Sequence, residues 1–317
     1  MVPLLLGSGA GALGWWRFQN SHGHFLSTVR PLRETYLQYA IHAAEHENNV
    51  AEVFRMLRSA GVEPMLLKGW AIARTYPEIG LRPSGDIDLY VPPEQYAKAQ
   101  AVLNIPEYQS YWVDLDHDEI TRFNEVSFED LYGASEVFNL DGTEVRTLGA
   151  EDHLRILCLH LLKHGAWRPL WLCDVAAALE ARPPNFDWHR CLGKNQRHAD
   201  WVLCTLALAS SLLGAAIEDT PAKQRVSSLP GWLSRAILKQ WSTLHAPNSP
   251  LFVDQVRESW WKPSILKSVR QRWPNSIQAT IDVDGEFDRM VRLPFQLRNC
   301  VVRSAKLCRQ LRTLMRK

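Results

Sequence analysis

The sequence predicts an α+β protein in which a small mixed sheet is flanked by N-terminal helices and a large C-terminal helical region. Before residue 60 and after residue 149, apolar residues recur at three- and four-residue steps, which is typical of helices. Between them the apolar runs are short, alternate with polar residues and are separated by turn residues, which is typical of strands. We therefore expect a helical segment at residues 1–60, an α/β core at residues 61–148 and a helical domain at residues 149–317 that ends in a basic helix.

The composition is that of an ordinary globular protein without disulfide bonds. The chain has 317 residues, with 36 Lys and Arg against 34 Asp and Glu, so the molecule as a whole does not resemble a nucleic-acid coat. Its six cysteines form no C-x-x-C pair and no zinc spacing, which fits buried thiols in a reducing compartment. The first nineteen residues, MVPLLLGSGAGALGWWRFQ, are expected to pack against the body, and no apolar run is long enough to predict a transmembrane segment. The expected location is cytoplasmic.

The N-terminal helix is predicted from Ser27 to Ala60. Pro31 suits a first helical turn, because its missing N–H would have no helical partner there. Gly61 suits the position just beyond the helix, where a positive φ is common. The side expected to face the core carries apolar residues at helical spacing: Val50, Val53, Phe54 and Leu57.

The core begins with two short strands, each followed by a helix. A Lys-Gly step ends the first strand, and a Pro-Pro pair ends the second. These elements are a strand at Met65–Leu67, a helix from Trp70 to Tyr76, a strand at Asp86–Val91 and a helix at Pro93–Leu103.

A third strand and a hairpin complete the predicted core. The third strand spans Tyr108–Asp116 and alternates, with Trp112, Asp114 and Asp116 on one face. Asp141-Gly142 supplies the turn of a hairpin at residues 135–148. Helices are predicted to follow at residues 150–165, 169–181 and 197–215. Asp174, in the second of these helices, is expected at the helix surface or bonded within the helix.

Two aspartates in one strand need an explanation, because Asp is depleted in strands. Alternation places Asp86 and Asp88 on one face together with Tyr90, and apolar residues on the other. Two carboxylates on one face repel each other unless the face is solvated or a cation lies between them. Mg²⁺ prefers carboxylate, water and phosphate oxygens, so the pair is suited to hold Mg²⁺, or Mn²⁺, together with a triphosphate.

Metal-dependent phosphoryl or nucleotidyl transfer also needs a carboxylate from a neighbouring strand and donors for the phosphates. Asp114 is the first choice for the third acid, and Asp116, on the same face, is its rival. A lysine supplies a point charge, and a glycine lets the backbone approach a phosphate closely. The predicted nucleotide-binding residues are Lys68, Gly69, Arg82 and Ser84.

The stretch LLKGWAIARTYPEIGLRPSGDIDLYV (Leu66–Val91) resembles the signature of the uncharacterised bacterial nucleotidyltransferase family, within the polymerase-β-like superfamily. In that family a Lys-Gly step is followed by Tyr-Pro and Arg-Pro segments and then by Asp-x-Asp on a strand. VDLDH (Val113–His117) resembles the later acidic strand, although Asp116 stands where the family usually has His. The helical sequence after residue 148 is also similar. The resemblance spans residues 30–180.

This resemblance implies a nucleotidyltransferase core at residues 61–148. The implied activity is transfer of a nucleoside monophosphate from an NTP, with ATP the expected donor, to an unidentified hydroxyl acceptor, with release of pyrophosphate. Asp86, Asp88 and Asp114 are the implied catalytic and metal-binding residues, and Mg²⁺ is the implied cofactor. The sequence does not name the acceptor, the preferred base or the oligomeric state.

Two alternatives stay open. The first is a nucleotide-binding module of the same fold with impaired catalysis, which the short stretch between Leu103 and Val113 favours because it leaves little room for further strands. The second is a metal-dependent glycosyltransferase, since Asp-x-Asp also holds nucleotide-sugar diphosphates. That reading needs a larger α/β domain before the motif, and mainly helical sequence occurs there.

The C-terminus is strongly basic. From Arg289 to Lys317 there are nine Lys and Arg residues and no Asp or Glu. Such a helix either binds an acidic partner, namely RNA, anionic lipid or an acidic glycan, or docks on the body with a solvated charged face. Its predicted apolar face consists of Leu297, Val301, Cys308, Leu311 and Met315.

Overall fold

The computed structural model describes residues 2–19, 26–116, 126–242 and 273–314. It shows an α+β protein with a five-stranded mixed sheet, as predicted. The chain forms two compact units: the first comprises Met1–Leu159 and Pro169–Val226, and the second comprises His160–Arg168 and Ser227–Lys317. The three-part division at residues 60 and 148 stays a prediction. In the described ranges, no helix combines the length and the apolar character needed to cross a membrane.

Three helices open the first unit: α1 (Val2–Ser8), α2 (Gly11–Gln19) and α3 (Leu26–Ser59). The N-terminal residues pack against α3, because a Cβ on Gly11 would lie 3.0 Å from side-chain atoms of both Leu6 and Thr35. The helix α3 begins before the predicted start, so Pro31 lies inside it rather than in its first turn. Gly61 follows α3 with a φ of +70°, and its N–H donates to the carbonyl of Arg58 at 2.8 Å, which confirms its predicted role in ending the helix.

The sheet has the strand order β3-β2-β1-β5-β4. The pairs β2/β3 and β1/β5 are parallel, whereas β1/β2 and β4/β5 are antiparallel. The predicted hairpin is confirmed, and Asp141 and Gly142 both have positive φ, as a type I′ turn requires. The strands are β1 (Met65–Leu66), β2 (Ile87–Tyr90), β3 (Val113–Asp116), β4 (Glu136–Leu140) and β5 (Thr143–Thr147).

The third strand is shorter than predicted. Residues Pro106–Tyr111 form a 3₁₀ helix, so β3 begins only at Val113. Proline at the first position of a helical turn favours this conformation, because its φ is already fixed near the helical value. Trp112 adopts a left-handed conformation with φ of +52°, and its side chain is 74% exposed, so it does not belong to the strand face that the alternation predicted.

Apolar clusters cover both faces of the sheet. One cluster joins the apolar stripe of α3 to alternate strand residues, including Leu66, Ile87 and Leu89. The other cluster includes Met65 and Tyr90. Tyr90 was expected beside the aspartates, and it is fully buried on their side of β2.

The remaining helices of the first unit agree with the predicted bounds within two residues where a prediction was made, with two exceptions. The helix predicted at Trp70–Tyr76 ends at Ala73, and the helix predicted at Pro93–Leu103 begins at Tyr96, after a 3₁₀ turn at Pro93–Gln95. The helices are α4 (Lys68–Ala73), α5 (Tyr96–Leu103), α6 (Phe128–Gly133), α7 (Ala150–Lys163, its last turn in the second unit), α8 (Pro169–Glu180), α9 (Trp188–Leu192), α10 (Gln196–Leu213) and α11 (Lys223–Ser228, its last two residues in the second unit). In the second unit the described helices are α12 (Gly231–Trp241), α13 (Ser276–Asp282) and α14 (Leu293–Leu314).

Truncation of the α3 stripe tests how strongly this helix stabilises the sheet. Leu57 is fully buried, whereas Leu37 on the same helix is 43% exposed. We expect Leu57→Ala to lower the free energy of unfolding by about 2–5 kcal/mol, because it leaves a cavity in the core. Leu37→Ala is the matched control and should change it by less than about 0.5 kcal/mol. Urea unfolding followed by circular dichroism measures both, and equal effects would contradict the assigned orientation of α3.

Candidate functional site

Three of the predicted carboxylates converge. The parallel register of β2 and β3 places Asp88 directly opposite Asp114, and Asp86 lies immediately before β2. One carboxylate oxygen from each of the three residues lies within 4.8 Å of the other two. Asp116 is paired in register with Tyr90 and is not a member of this cluster. The structure therefore brings together the first-choice set of acids. His117, the last residue of the VDLDH stretch, lies outside the described residues.

The cluster is a region of concentrated negative charge beside the Lys68 ammonium. Lys68 Nζ lies 3.0 Å from Asp88 Oδ1. Burial raises the pKa of Asp88; the Lys68 ammonium opposes this rise, and the charges of Asp86 and Asp114 add to it. Two neighbouring carboxylates and a low local polarity thus disfavour the ionised form of Asp88, and a cation between the three acids would favour it.

Gly69 lets the chain pass close to Asp88. Its φ of +49° and ψ of −118° are non-helical, although it lies within α4. A Cβ at this position would be 3.3 Å from Asp88 Oδ2 and 3.5 Å from the carbonyl oxygen of Asp86. The chain is held there by a hydrogen bond from the Leu67 N–H to the Asp88 carbonyl at 2.9 Å. The Lys-Gly step predicted to line the site is therefore adjacent to the acids.

Arg82 was predicted to contact nucleotide, but the structure engages its guanidinium elsewhere. Nε and Nη2 donate to the two carboxylate oxygens of Asp174 at 2.8 and 3.0 Å, and Tyr76 Oη donates to the same carboxylate at 2.8 Å. Asp174 is 1% exposed, so the expectation that it lies at a helix surface is wrong. The bidentate ion pair fastens the loop before β2 to α8, because Asp174 belongs to α8.

Ser84 is placed differently from Arg82. Its Oγ is buried and has no hydrogen-bond partner within the described part of the chain. A buried hydroxyl without a partner is unfavourable unless a ligand or water bonds it. Ser84 therefore keeps a free donor in the loop that leads to Asp86, while its prediction as a nucleotide contact remains untested.

Two buried histidines near these residues were missed by the sequence interpretation. Burial lowers the pKa of His46, with Asp86 opposing and Arg82 reinforcing the shift. Burial lowers the pKa of His153 to about 4, and the neighbouring charges of Asp174 and Arg82 act in opposite directions. In the described ranges, neither Nε2 atom has a hydrogen-bond partner. His46 precedes Val50 by four residues, so it lies on the apolar stripe of α3. This spacing could have predicted from the sequence that His46 is buried.

Comparison with protein families shows the family to which the chain belongs. A family model described as uncharacterised nucleotidyltransferase matches residues 19–129 and 111–214, which together make up more than half of the chain. Among solved structures, the chain is similar to an antigenic nucleotidyltransferase-like protein from Paracoccidioides brasiliensis. The identity is 17%, the TM-score is 0.40, and the similarity covers 55% of this chain and 94% of that one. No curated protein gives a significant match.

Removal of the Asp174 charge tests whether the ion pair holds the loop. We expect Asp174→Asn to lower the free energy of unfolding by about 3–5 kcal/mol, because it leaves the buried Arg82 cation without its counter-ion. Asp219→Asn is the matched control: Asp219 accepts two hydrogen bonds from Arg182 but is exposed, so stability should not change measurably. Thermal and urea unfolding measure both variants, and a silent Asp174→Asn would contradict this role.

Proposed function

The chain belongs to the uncharacterised nucleotidyltransferase family, and from this premise we propose that it is a Mg²⁺-dependent nucleotidyltransferase. It would move a nucleoside monophosphate from an NTP, with ATP the expected donor, to a hydroxyl acceptor. The observation that carries the proposal is the convergence of Asp86, Asp88 and Asp114 within 4.8 Å of one another. The adjacent Lys68 and Gly69 support it, because a triphosphate needs a cation and a close backbone approach.

The donor chemistry of the cluster fits a hard divalent cation. Mg²⁺ and Mn²⁺ take carboxylate oxygens, and the remaining positions suit water and phosphate oxygens. Asp86 and Asp88 would hold the metal on the side of the triphosphate, and Asp114 would complete the site near the acceptor. When bound, the metal supplies neutralisation of the charge that develops on the phosphates.

The residues of the chain would then act chiefly by positioning. The acceptor oxygen forms a bond to the α-phosphorus, the bond from the α-phosphorus to the bridging oxygen breaks, and pyrophosphate leaves while the hydroxyl proton passes to solvent. Lys68 would bind phosphate oxygens, and Ser84 Oγ is a further donor. For Arg82 we propose an indirect part, because Asp174 already engages its guanidinium. Orientation and charge neutralisation account for most of the rate acceleration in such reactions.

A nucleotide-binding module without turnover would have the same fold, so binding and transfer have to be measured separately. Cell lysate supplies the candidate hydroxyl acceptors. Each labelled NTP should therefore be incubated with the protein, Mg²⁺ and cell lysate, and the labelled product identified. Metal-dependent ATP binding is measured separately by calorimetry. Transfer of label with pyrophosphate release supports the enzyme, whereas ATP binding without release with any acceptor fraction supports the module.

The location remains a proposal as well. All six cysteines are free, and three of them are buried. Free thiols are common in reducing compartments, and this supports the cytoplasmic location expected from the sequence.

Substitution of the acids distinguishes the first-choice set from its rival. We expect Asp88→Asn and Asp114→Asn each to reduce transfer by roughly 10²–10³-fold or more, because each removes an anionic ligand from the cation site. Asp116→Asn is the matched control on the same strand and should keep most of the activity. Pyrophosphate release measures turnover, and circular dichroism confirms folding. Normal turnover in Asp88→Asn would exclude the proposed site.

Gly69→Ala tests the close approach of the backbone. An alanine would be strained at positive φ, at a cost of about 1–3 kcal/mol in stability, and its Cβ would crowd Asp88. We expect weaker metal-dependent ATP binding in addition to lower stability. Gly142→Ala is the control, because Gly142 also has positive φ but nothing lies within 4 Å of its Cβ position. This control should lose stability only, and equal ATP binding by both variants would contradict the assigned role of Gly69.

A further inference from the structure

The last helix of the second unit packs through its polar side. Asn299 is fully buried, and its Nδ2 donates to Asp282 Oδ2 at 2.7 Å. Gln296 Nε2 donates to the Pro274 carbonyl at 2.7 Å, and Arg303 Nη2 donates to Gln278 Oε1 at 3.1 Å. These bonds fix α14 against α13 and the residues before it. An amphipathic helix of a globular protein normally buries its apolar stripe instead.

The apolar stripe of α14 is left at the surface. Leu293, Leu297 and Val301 recur at four-residue steps on one face, and all three are exposed, Val301 by 69%. The predicted stripe thus exists at Leu297 and Val301, and Cys308 is also exposed. The side chains of Leu311 and Met315 lie outside the described residues. In the part that the structure describes, the helix therefore docks on α13, but through Asn299 and its polar neighbours rather than through its apolar stripe.

A basic groove lies in the same unit. It has a volume of about 670 Å³, and it is lined by residues of α12, the start of α13 and the segment before α14. Arg235, Lys239 and Arg289 contribute three cations that have no acidic partner among the described residues, and no acidic side chain lines the groove. Met290 and Val291 line it too, and Val291 is 74% exposed.

The buried Arg292 explains why these apolar residues face outward. Its guanidinium donates to Asp288 and to the carbonyls of Glu286 and Met290, and it lies over the rings of Trp232 and Phe295. The arginine thus occupies the interior position of this segment. Met290 and Val291 on its N-terminal side remain at the surface, two residues before the exposed stripe of α14 begins.

We propose that this surface, the groove together with the exposed stripe of α14, docks on an anionic phospholipid bilayer. Unpaired cations attract lipid phosphates, and exposed aliphatic side chains enter the boundary between head groups and acyl chains. Of the acidic partners that the sequence left open, RNA and glycan fit less well. The exposed apolar residues are aliphatic, whereas nucleic-acid bases stack on aromatic rings.

The aromatic residue of the groove does not offer a stacking platform. Trp232 donates its indole N–H to the Asp288 carbonyl at 2.7 Å. Its ring meets Phe287 edge-on with centroids 5.7 Å apart, and the Arg292 guanidinium covers it at 4.8 Å. A second copy of the chain fits less well also, because it would bring cations against cations.

The test is co-sedimentation of the 317-residue chain with vesicles. We expect binding to vesicles of equal parts phosphatidylcholine and phosphatidylglycerol, and no binding to phosphatidylcholine alone. The double variant Arg235→Ala/Lys239→Ala should bind roughly tenfold more weakly or worse, since each cation near an anionic surface contributes substantially. The variant Leu297→Ser/Val301→Ser should weaken binding by a similar factor, because insertion loses apolar area.

Matched controls lie in the first unit. Lys194→Ala/Lys223→Ala removes two exposed cations, and Leu213→Ser/Val226→Ser repeats the apolar change at exposed positions. Both controls should bind vesicles like the unmodified protein, and circular dichroism shows that all variants fold. Equal binding to neutral vesicles, undiminished binding by the groove and stripe variants, or groove-dependent binding of single-stranded RNA without vesicle binding would each overturn the proposal.

Discussion

The candidate site depends on the parallel register of β2 and β3, which sets Asp88 opposite Asp114. Like charges on adjacent strands repel each other, so the carboxylates themselves do not favour this register. The opposite face does: Ile87 and Leu89 are buried against the stripe of α3, and a slip of one residue would remove them from this contact. Burial of apolar surface on one side of the strand thus stabilises an unfavourable concentration of charge on the other.

A second constraint is the bidentate pair of Arg82 and Asp174, which joins residues that are far apart in the sequence. Buried ion pairs contribute little net stability, because desolvation of both charges offsets their attraction. The pair instead fixes the position of the loop before β2, because two parallel N–H···O bonds and the Tyr76 hydroxyl orient Arg82 specifically. That loop leads through Ser84 to Asp86. The position of the first acid is therefore set by a contact with α8 as well as by the strand.

These two constraints differ in how far the sequence could predict them. Asp86 and Asp88 follow from alternation within one strand, and the Asp141-Gly142 hairpin follows from turn chemistry; both signals are local. The pairing of Arg82 with Asp174 spans 92 positions, and a helical period alone cannot show which buried partner a helix residue meets. His46 was missed for the same reason, because its significance depends on the charges that the fold brings near it. The 3₁₀ turn before β3 was missed because alternation at residues 108–116 outweighed the helix signal of Pro106.

The helix α14 also shows that a sequence pattern does not identify the partner of a helix face. Its hydrophobic period was predicted correctly at Leu297 and Val301, but the period states only that two faces differ. In most helices the apolar face is buried because burial removes it from water. Here Asn299, Gln296 and Arg303 hold the opposite face with directional hydrogen bonds. Because α14 packs on α13 through its polar face, its apolar face is left exposed and available to contact a partner outside the molecule. Arg235, Lys239 and Arg289 in the neighbouring groove have no acidic partner in the described ranges, and this positive charge favours an anionic surface as the one that covers the stripe.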